Sequence, residues 1–300
     1  MKDSGLQTPD TGHKTRVLAG IPAYNEARYV GSVVLQARQY TDEVIVVDDG
    51  STDNTSRVAE LAGATVIRHQ ENRGKGAAIQ DILAEATKRN PDVLVLLDAD
   101  SQHNPDEIPA LIRPVSQGFD LVIGSREAQK KKTPTYRRIG QRVLSDSTRI
   151  LSNKHIADSE SGFRALSAKA IHDLELKEEG FAVETEMIAR VADKNLKITE
   201  VPISNIYTTD GSTLNPVRHG AGVLARIMTM ISERKPLFFF GIAGGILLVA
   251  GLITGIRVLS IATTKGVLAM GSIVLTSLLA MSGILSIFTG IILNALTRRR

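Results

Sequence analysis

A chain of 300 residues that is 43% hydrophobic and 23% charged is too apolar and too patterned for a disordered protein, and long enough for one full domain plus an appendage. A net charge of +4 spread without a single basic stripe argues against nucleic acid as the partner, although a membrane surface remains open. Cysteine is absent, which excludes disulfides, Cys-ligated zinc and thiol nucleophiles together, and tryptophan is absent as well.

Residues 1–14 (MKDSGLQTPDTGHK) are polar, carry Pro9 and Gly12 and lack an apolar core, so they read as a disordered tail and not a signal peptide. From residue 16 the pattern alternates β-branched runs with helical periods. RVLAGI, EVIVV, ATVIR, DVLVLLD and DLVIG are the strands; EARYVGSVVLQARQY, TSRVAELA, AAIQDILAEATK and PDEIPALIRPVSQ are the helices between them. The order βαβαβαβαβ with continuous apolar strands predicts an α/β fold, a Rossmann-like and mostly parallel sheet with helices on both faces. In such sheets ligands bind beyond the carboxyl ends of the strands.

The segments at those ends are polar: PAYNE (22–26), DDGSTDNT (48–55), HQENRGKG (69–76) and DADSQHNP (98–105). Part of this is helix capping, for which Asp53 and Asn104 before Pro105 are candidates. Caps do not require Asp48, Asp49, Asp98 and Asp100 together, and unpaired carboxylates crowded at one rim would repel, so a cation is expected there. Asp98 and Asp100, two apart, point to one side of an extended chain and can share a hard divalent ion, Mg2+ or Mn2+, with Gln102 two further on. Open positions on that ion suit the oxygens of a diphosphate. NRGKG is not a Walker P-loop: His69 stands where the first Gly is needed and Gly76 where Ser or Thr is needed, which leaves Arg73 and Lys75 as plain positive charges for phosphate.

Farther along, residues 236–256 (PLFFFGIAGGILLVAGLITGI) and 266–297 hold no charge, each run enough to cross ~30 Å of hydrocarbon. A pair of buried core helices is the alternative, but soluble helices of this length keep a polar face. Arg234, Lys235 and Arg298 to Arg300 flank the two spans while the connector keeps only Arg257 and Lys265, so a hairpin with both ends in the cytoplasm is expected. Gly241/Gly245 and Gly251/Gly255 are small-xxx-small pairs, open to contact within the hairpin or to a homo-oligomer. Upstream, Val223, Leu224, Ile227, Met228 and Ile231 share a helical face that suits either an interfacial helix on the lipid bilayer or a soluble core.

In their order and spacing, IPAYNE, VVDDGSTDNT, NRGKGAAI, LLDADSQH, IGSR and DSESGFRAL resemble the family 2 glycosyltransferases of the GT-A fold. With the hairpin, the chain resembles most the dolichyl or polyprenyl phosphate hexose synthases. The resemblance covers about residues 16–210 and implies domains at 15–212 (GT-A), 213–235 (juxtamembrane amphipathic helix) and 236–297 (hairpin, spans about 236–256 and 267–293). It also implies roles: Pro22, Tyr24, Glu26 and Asp49, with Lys75 and Asp98, on the nucleotide; Asp98, Asp100 and Gln102 on the metal and diphosphate; Arg126 and Arg137 on the acceptor phosphate. Asp158 to Phe163, including Ser161, closes the acceptor side, and Glu184 and Glu186 lie on a nearby helix. Mannose-type members carry a basic residue and a Ser-Lys pair where this chain has Thr208 or Thr209 and Thr213, so the sugar nucleotide, GDP-mannose or UDP-glucose or UDP-GlcNAc, stays open.

The implied reaction moves a hexose from a nucleotide sugar to the phosphate of a membrane polyprenol, in the cell membrane, on its cytoplasmic side. That acceptor, with a second pKa near ~6, is largely dianionic at neutral pH and needs no strong base. Asp100, Arg126 and Arg137 are the candidate catalytic residues, and a single displacement inverts the anomeric centre. A processive polysaccharide synthase would use Gln-x-x-Arg-Trp, and this chain has no Trp. A family 2 enzyme extending a lipid-linked sugar would need a base, for which Asp158 or Glu160 serves. A non-catalytic nucleotide-sugar-binding membrane protein is the third reading, and intact Asp98, Asp100 and Gln102 argue against it.

Overall fold

In a computed structural model of the chain the described residues are 15–126, 148–149, 151, 156–180, 182–204, 216–265 and 270–297. The expected tail, Arg137, Thr208, Thr209, Thr213 and Arg298 to Arg300 lie outside them. The chain separates into two compact units, the first holding the sheet and the second the C-terminal helices.

In the first unit, β1 (Val17–Ala23), α1 (Val30–Ala37), β2 (Glu43–Asp48), α2 (Thr55–Leu61), β3 (Thr65–Arg68), α3 (Lys75–Arg89), β4 (Val93–Leu96), α4 (Ile108–Ser116) and β5 (Leu121–Ser125) follow in chain order. Then come β6 (Arg164–Ser167), α5 (Ala168–Asp173), α6 (Val183–Asp193) and β7 (Ile198–Pro202). The sheet runs β3-β2-β1-β4-β6-β5-β7. All pairings are parallel except those of β6, which runs antiparallel to both β4 and β5. The mostly parallel sheet is as expected. The separation of β4 from β5 by Arg164–Ser167 is not legible in a four-residue strand that opens on an arginine.

Strand alternation builds two cores. Ala19, Ile21, Val44, Val46, Val93 and Val95 face one side with Val33, Val34, Ile108 and Leu111. Leu18, Ile45, Val47, Leu94 and Leu96 face the other with Ile79, Ile82, Ile171, Met187 and Ile188. Gly20 sets the closest approach: a Cβ there would lie 2.3 Å from Ile82 Cγ2, so α3 presses directly on the central strand. Asn104 accepts a hydrogen bond from Asp106 N (3.2 Å) with Pro105 next, the cap expected before α4. Helix α1 begins at Val30, later than the periodicity suggests, because Asn25 takes a left-handed φ of 56° and residues 26–29 form a turn.

The second unit holds α7 (Pro216–Arg234), α8 (Pro236–Lys265) and α9 (Met270–Thr297). Helices α8 and α9 form an antiparallel pair, each long and apolar enough to cross a membrane, and only 11% of each apolar window is buried. A pair of soluble core helices would be mostly buried; Leu252, Ile256 and Leu278 are instead exposed. Helix α8 continues past Arg257 to Lys265, beyond the span expected to end at 256. Contact between the helices runs through Gly244 and Gly283, where a Cβ on Gly244 would lie 2.6 Å from Gly283 O. Thr276 Oγ1 donates to Thr254 Oγ1 (3.1 Å) and Ser286 Oγ to Phe240 O (2.9 Å). Gly251 and Gly255 pack on Ala280 and Thr276, whereas Gly241 and Gly245 have open space around them. In α7 the buried residues are Ile227, Met230 and Ile231, and Met228 is exposed.

Candidate active site

The first two rim loops are stitched together. Asn25 N donates to Ser51 Oγ (2.8 Å), Thr52 N to Asn25 Oδ1 (2.8 Å), Glu26 N to Thr55 Oγ1 (2.8 Å) and Ala27 N to Asp53 Oδ2 (3.1 Å). Asp53 also accepts from Thr55 N (3.0 Å), so it caps the start of α2 from just outside it. The Tyr24 ring stands half exposed above them and Pro22 is half-buried at the strand end.

Asp48 and Asp49 do not belong to a repelling cluster, which corrects the expectation. Asp48 is fully buried, accepts from Ser51 N (2.8 Å) and Ser56 Oγ, and lies 3.9 Å from Arg68 Nε. Asp49 accepts from Arg73 N (2.8 Å) and Gly74 N (2.7 Å) and meets His69 Nδ1 at 2.6 Å, so both its oxygens are spent on shaping the third loop. His69 Nε2 in turn meets Asp81 Oδ2 at 2.7 Å. The other side of this loop is closed by backbone: Gly76 N donates to Glu179 O (2.7 Å), and a Cβ on Gly76 would lie 2.1 Å from Glu178 O. Gly74, at φ 99°, makes the turn that opens α3.

Fixed on both sides, the loop delivers Lys75 inward. Its Nζ sits 2.6 Å from Asp98 Oδ1 and 2.8 Å from Glu184 Oε1. Burial opposes the charge on Lys75, but Asp98 and Glu184 outweigh it and raise its pKa. Burial likewise opposes ionisation of Asp98, yet Lys75, His103 and Arg126 hold it at about 2. Asp100 is different. Burial and then the charge of Asp98 raise it, while Gln102 N donates to its Oδ1 (3.0 Å). Glu26 is pushed up to about 7 by burial, then by Asp100, Asp53 and Asp98. Acidity is therefore crowded around Glu26 and Asp100, and Lys75 offsets it only in part at Asp100.

That imbalance suits a hard divalent cation. Among the described residues no group of three or more His, Asp or Glu side chains forms a cage by itself.

Arg126 follows β5 and grips Asp158: Nε donates to Oδ2 (2.7 Å), Nη2 to Oδ1 (2.8 Å) and the backbone N to Oδ2 (3.0 Å). Burial opposes the guanidinium charge and Asp158 restores it, raising its pKa. Glu200 on β7 accepts from Ala157 N (2.9 Å) and Asp158 N (3.0 Å), fixing the Asp158 backbone. Arg164, fully buried, donates to Ser159 O (2.7 Å), Ser161 O (2.8 Å) and Glu184 O (2.8 Å) and so ties the 158–163 loop to α6. Gly162 faces Asp98: a Cβ there would lie 2.6 Å from Asp98 Oδ2. His103 stacks on Phe163 at 5.1 Å and accepts at Nδ1 from Asp98 N (3.2 Å), and burial lowers its pKa to about 4, so it is neutral. Ser125 Oγ, Ser161 Oγ and Glu184 Oε2 are buried without hydrogen-bond partners among the described residues.

Of the predicted site residues, the structure brings Glu26, Lys75, Asp98 and Asp100 into one electrostatic neighbourhood, with Arg126, Asp158 and Glu184 beside it. Glu186 stands apart. It accepts from Lys177 N (2.9 Å), Glu178 N (2.8 Å) and Arg190, a structural set. The sequence assigns no role to Arg164, Glu200 or His103, and places Gly162 only within the acceptor-side segment 158–163. Arg164 alone had a signal, a charged residue opening the apolar run RAL.

Glu160 is pushed up to about 7 by burial first and then by Glu184. The folded protein therefore holds this proton where the unfolded chain has lost it, and stability falls as pH rises from about 4.5 to about 7, then levels off. Glu160→Gln should remove that contribution, worth at most about 3 kcal/mol across the window. Urea unfolding at several pH values checks this; a slope equal to that of wild type would contradict it.

The acidic rim and mixed seven-stranded sheet define a GT-A type transferase domain. Residues 19–175 match glycosyl transferase family 2, and the chain belongs to that family. Glycosyltransferase AglJ of Haloferax volcanii is 33% identical over 80% of this chain and 78% of its own length. A UDP-N-acetylglucosamine–dolichyl-phosphate N-acetylglucosaminyltransferase of Methanococcus voltae is 35% identical over 63% of this chain and 84% of its own. Among solved structures, M. tuberculosis glucosyl-3-phosphoglycerate synthase superposes with a TM-score of 0.60 at 23% identity, covering 73% of this chain and 80% of that one. That enzyme has also been crystallised with Mn2+ and UDP-glucose.

Proposed function

We propose that the chain is a membrane-bound inverting glycosyltransferase that moves a hexose from a nucleotide sugar to dolichyl or polyprenyl phosphate. The observation that carries this is one electrostatic neighbourhood that holds both clustered acids, Asp98, Asp100 and Glu26, and a guanidinium, Arg126, fixed by Asp158. The donor diphosphate belongs on the metal side and the acceptor phosphate on the Arg126 side. Relatives named for dolichyl-phosphate transfer support the acceptor class, and the two apolar helices support delivery from a bilayer. On this reading the hairpin is multi-pass with the catalytic domain on the cytoplasmic side.

Mg2+ or Mn2+ on Asp98 and Asp100, with Gln102 nearby, would supply charge neutralisation for the departing nucleoside diphosphate. Lys75 adds a buried positive charge beside it. Arg126 spends two of its side-chain donors on Asp158, which leaves others to hold the attacking phosphate in line. His103, being neutral, packs and orients Asp98 without adding charge. The acceptor dianion is itself the nucleophile, so no side chain has to take its proton.

Transfer to a sugar hydroxyl on an existing lipid-linked sugar is the second reading, and the raised pKa of Glu160 favours it. Asp158 is the weaker candidate for the base, since both its oxygens already accept from the Arg126 guanidinium. Labelled UDP- and GDP-sugars offered with liposomes of polyprenyl phosphate test the choice. Label entering the monophosphate lipid at a rate unchanged by Glu160→Gln is expected. Label entering only a preglycosylated lipid, with a loss of about 10²-fold or more on Glu160→Gln, would favour the second reading.

A further inference from the structure

Lys75, Asp98 and Glu184 come from three elements: the first residue of α3, the loop after β4 and the first turn of α6. They meet only at the ammonium, which touches both carboxylates within 2.8 Å. Glu186, two residues further along α6, carries the structural bonds of this turn. Lys75 is the one ion-pair partner of the Glu184 side chain among the described residues, and its second oxygen, Oε2, is buried with no hydrogen-bond partner. A buried carboxylate oxygen left unbonded is costly unless something occupies it in another state of the site.

A divalent ion on Asp98 and an ammonium on the same carboxylate repel strongly at contact distance. Lys75 must therefore leave Asp98 when a metal arrives. We propose that Glu184 is the positioning residue for this exchange: it receives the Lys75 ammonium on both carboxylate oxygens, freeing Asp98 for the metal while keeping the positive charge beside the donor phosphates. This rests on the reading that Asp98 and Asp100 hold a metal. Without Glu184 the ammonium has Asp98 as its only carboxylate partner among the described residues and competes with the metal for it.

The test is calorimetric titration of Mn2+ alone, without nucleotide, into the full chain in detergent. Glu184→Gln should weaken Mn2+ binding by about tenfold. The double variant Lys75→Met with Glu184→Gln removes the competing cation together with the carboxylate that would receive it, leaves Asp98 to the metal, and should bind Mn2+ at least as tightly as wild type. Thermal melts of the same samples report folding. A single variant equal to wild type, or a double variant no tighter than the single one, would overturn the exchange while leaving the metal site standing. A wild-type chain that binds no Mn2+ would overturn both.

Discussion

Asp100→Asn should lower hexose transfer by about 10²- to 10³-fold or more and leave the thermal midpoint unchanged or slightly higher. The two effects have one origin. Burial and the neighbouring charge of Asp98 make the Asp100 carboxylate unfavourable in the folded chain, which its raised pKa reports. An asparagine removes that repulsion and keeps an oxygen to accept the Gln102 N–H bond. It also removes the charge that would hold a divalent ion. Loss of transfer with stability retained is the signature of a site selected for chemistry and not for folding. Transfer above about a tenth of wild type at saturating metal would contradict the metal assignment.

Arg164→Met should destabilise the chain by about 3–5 kcal/mol. Three backbone carbonyls, those of Ser159, Ser161 and Glu184, lose their donor in the interior. Glu184, Glu160, Asp158 and Asp98 lose the buried cation that offsets them. Arg164→Lys should recover only part of this, because a point charge cannot span three carbonyls as a planar fork does. Urea unfolding followed by circular dichroism measures the difference. A cost below about 1 kcal/mol would mean that the 158–163 loop is held by other contacts.

Much of the fold is legible in local patterns, and the reason is periodicity. Apolar runs such as VLAGI and VLVL are long enough to mark central strands, and the intervening helices enforce parallel pairing. Strand β6 escapes that logic: its placement between β4 and β5 follows from the return of the chain after residue 156, a non-local event that four residues do not encode. Similarly, the hairpin was visible as charge-free sequence, but which glycines form its contact was not. Gly244 and Gly283 meet because of the relative rotation of α8 and α9, whereas spacing highlights Gly241/Gly245 and Gly251/Gly255, of which the second pair packs on α9 and the first does not.

In the site, residue types were readable and their partners were not. DDGS singles out Asp49 only through the family resemblance, and its local contacts were not legible: Asp48 is a buried turn residue and Asp49 accepts from Arg73 N and Gly74 N. DSES offers two candidate bases, and only the three-dimensional pairing of Asp158 with Arg126 separates it from Glu160. The tie of Lys75 to Glu184 joins residues 109 positions apart by their numbers, which no motif spans.

The most direct measurement is NMR of the lipid product made by the purified full chain from an α-linked nucleotide sugar and polyprenyl phosphate. The account predicts an anomeric proton with β configuration that also couples to phosphorus, which establishes both inversion and attachment to the phosphate oxygen. A retained α-anomer, or an anomeric centre without coupling to phosphorus, would contradict it.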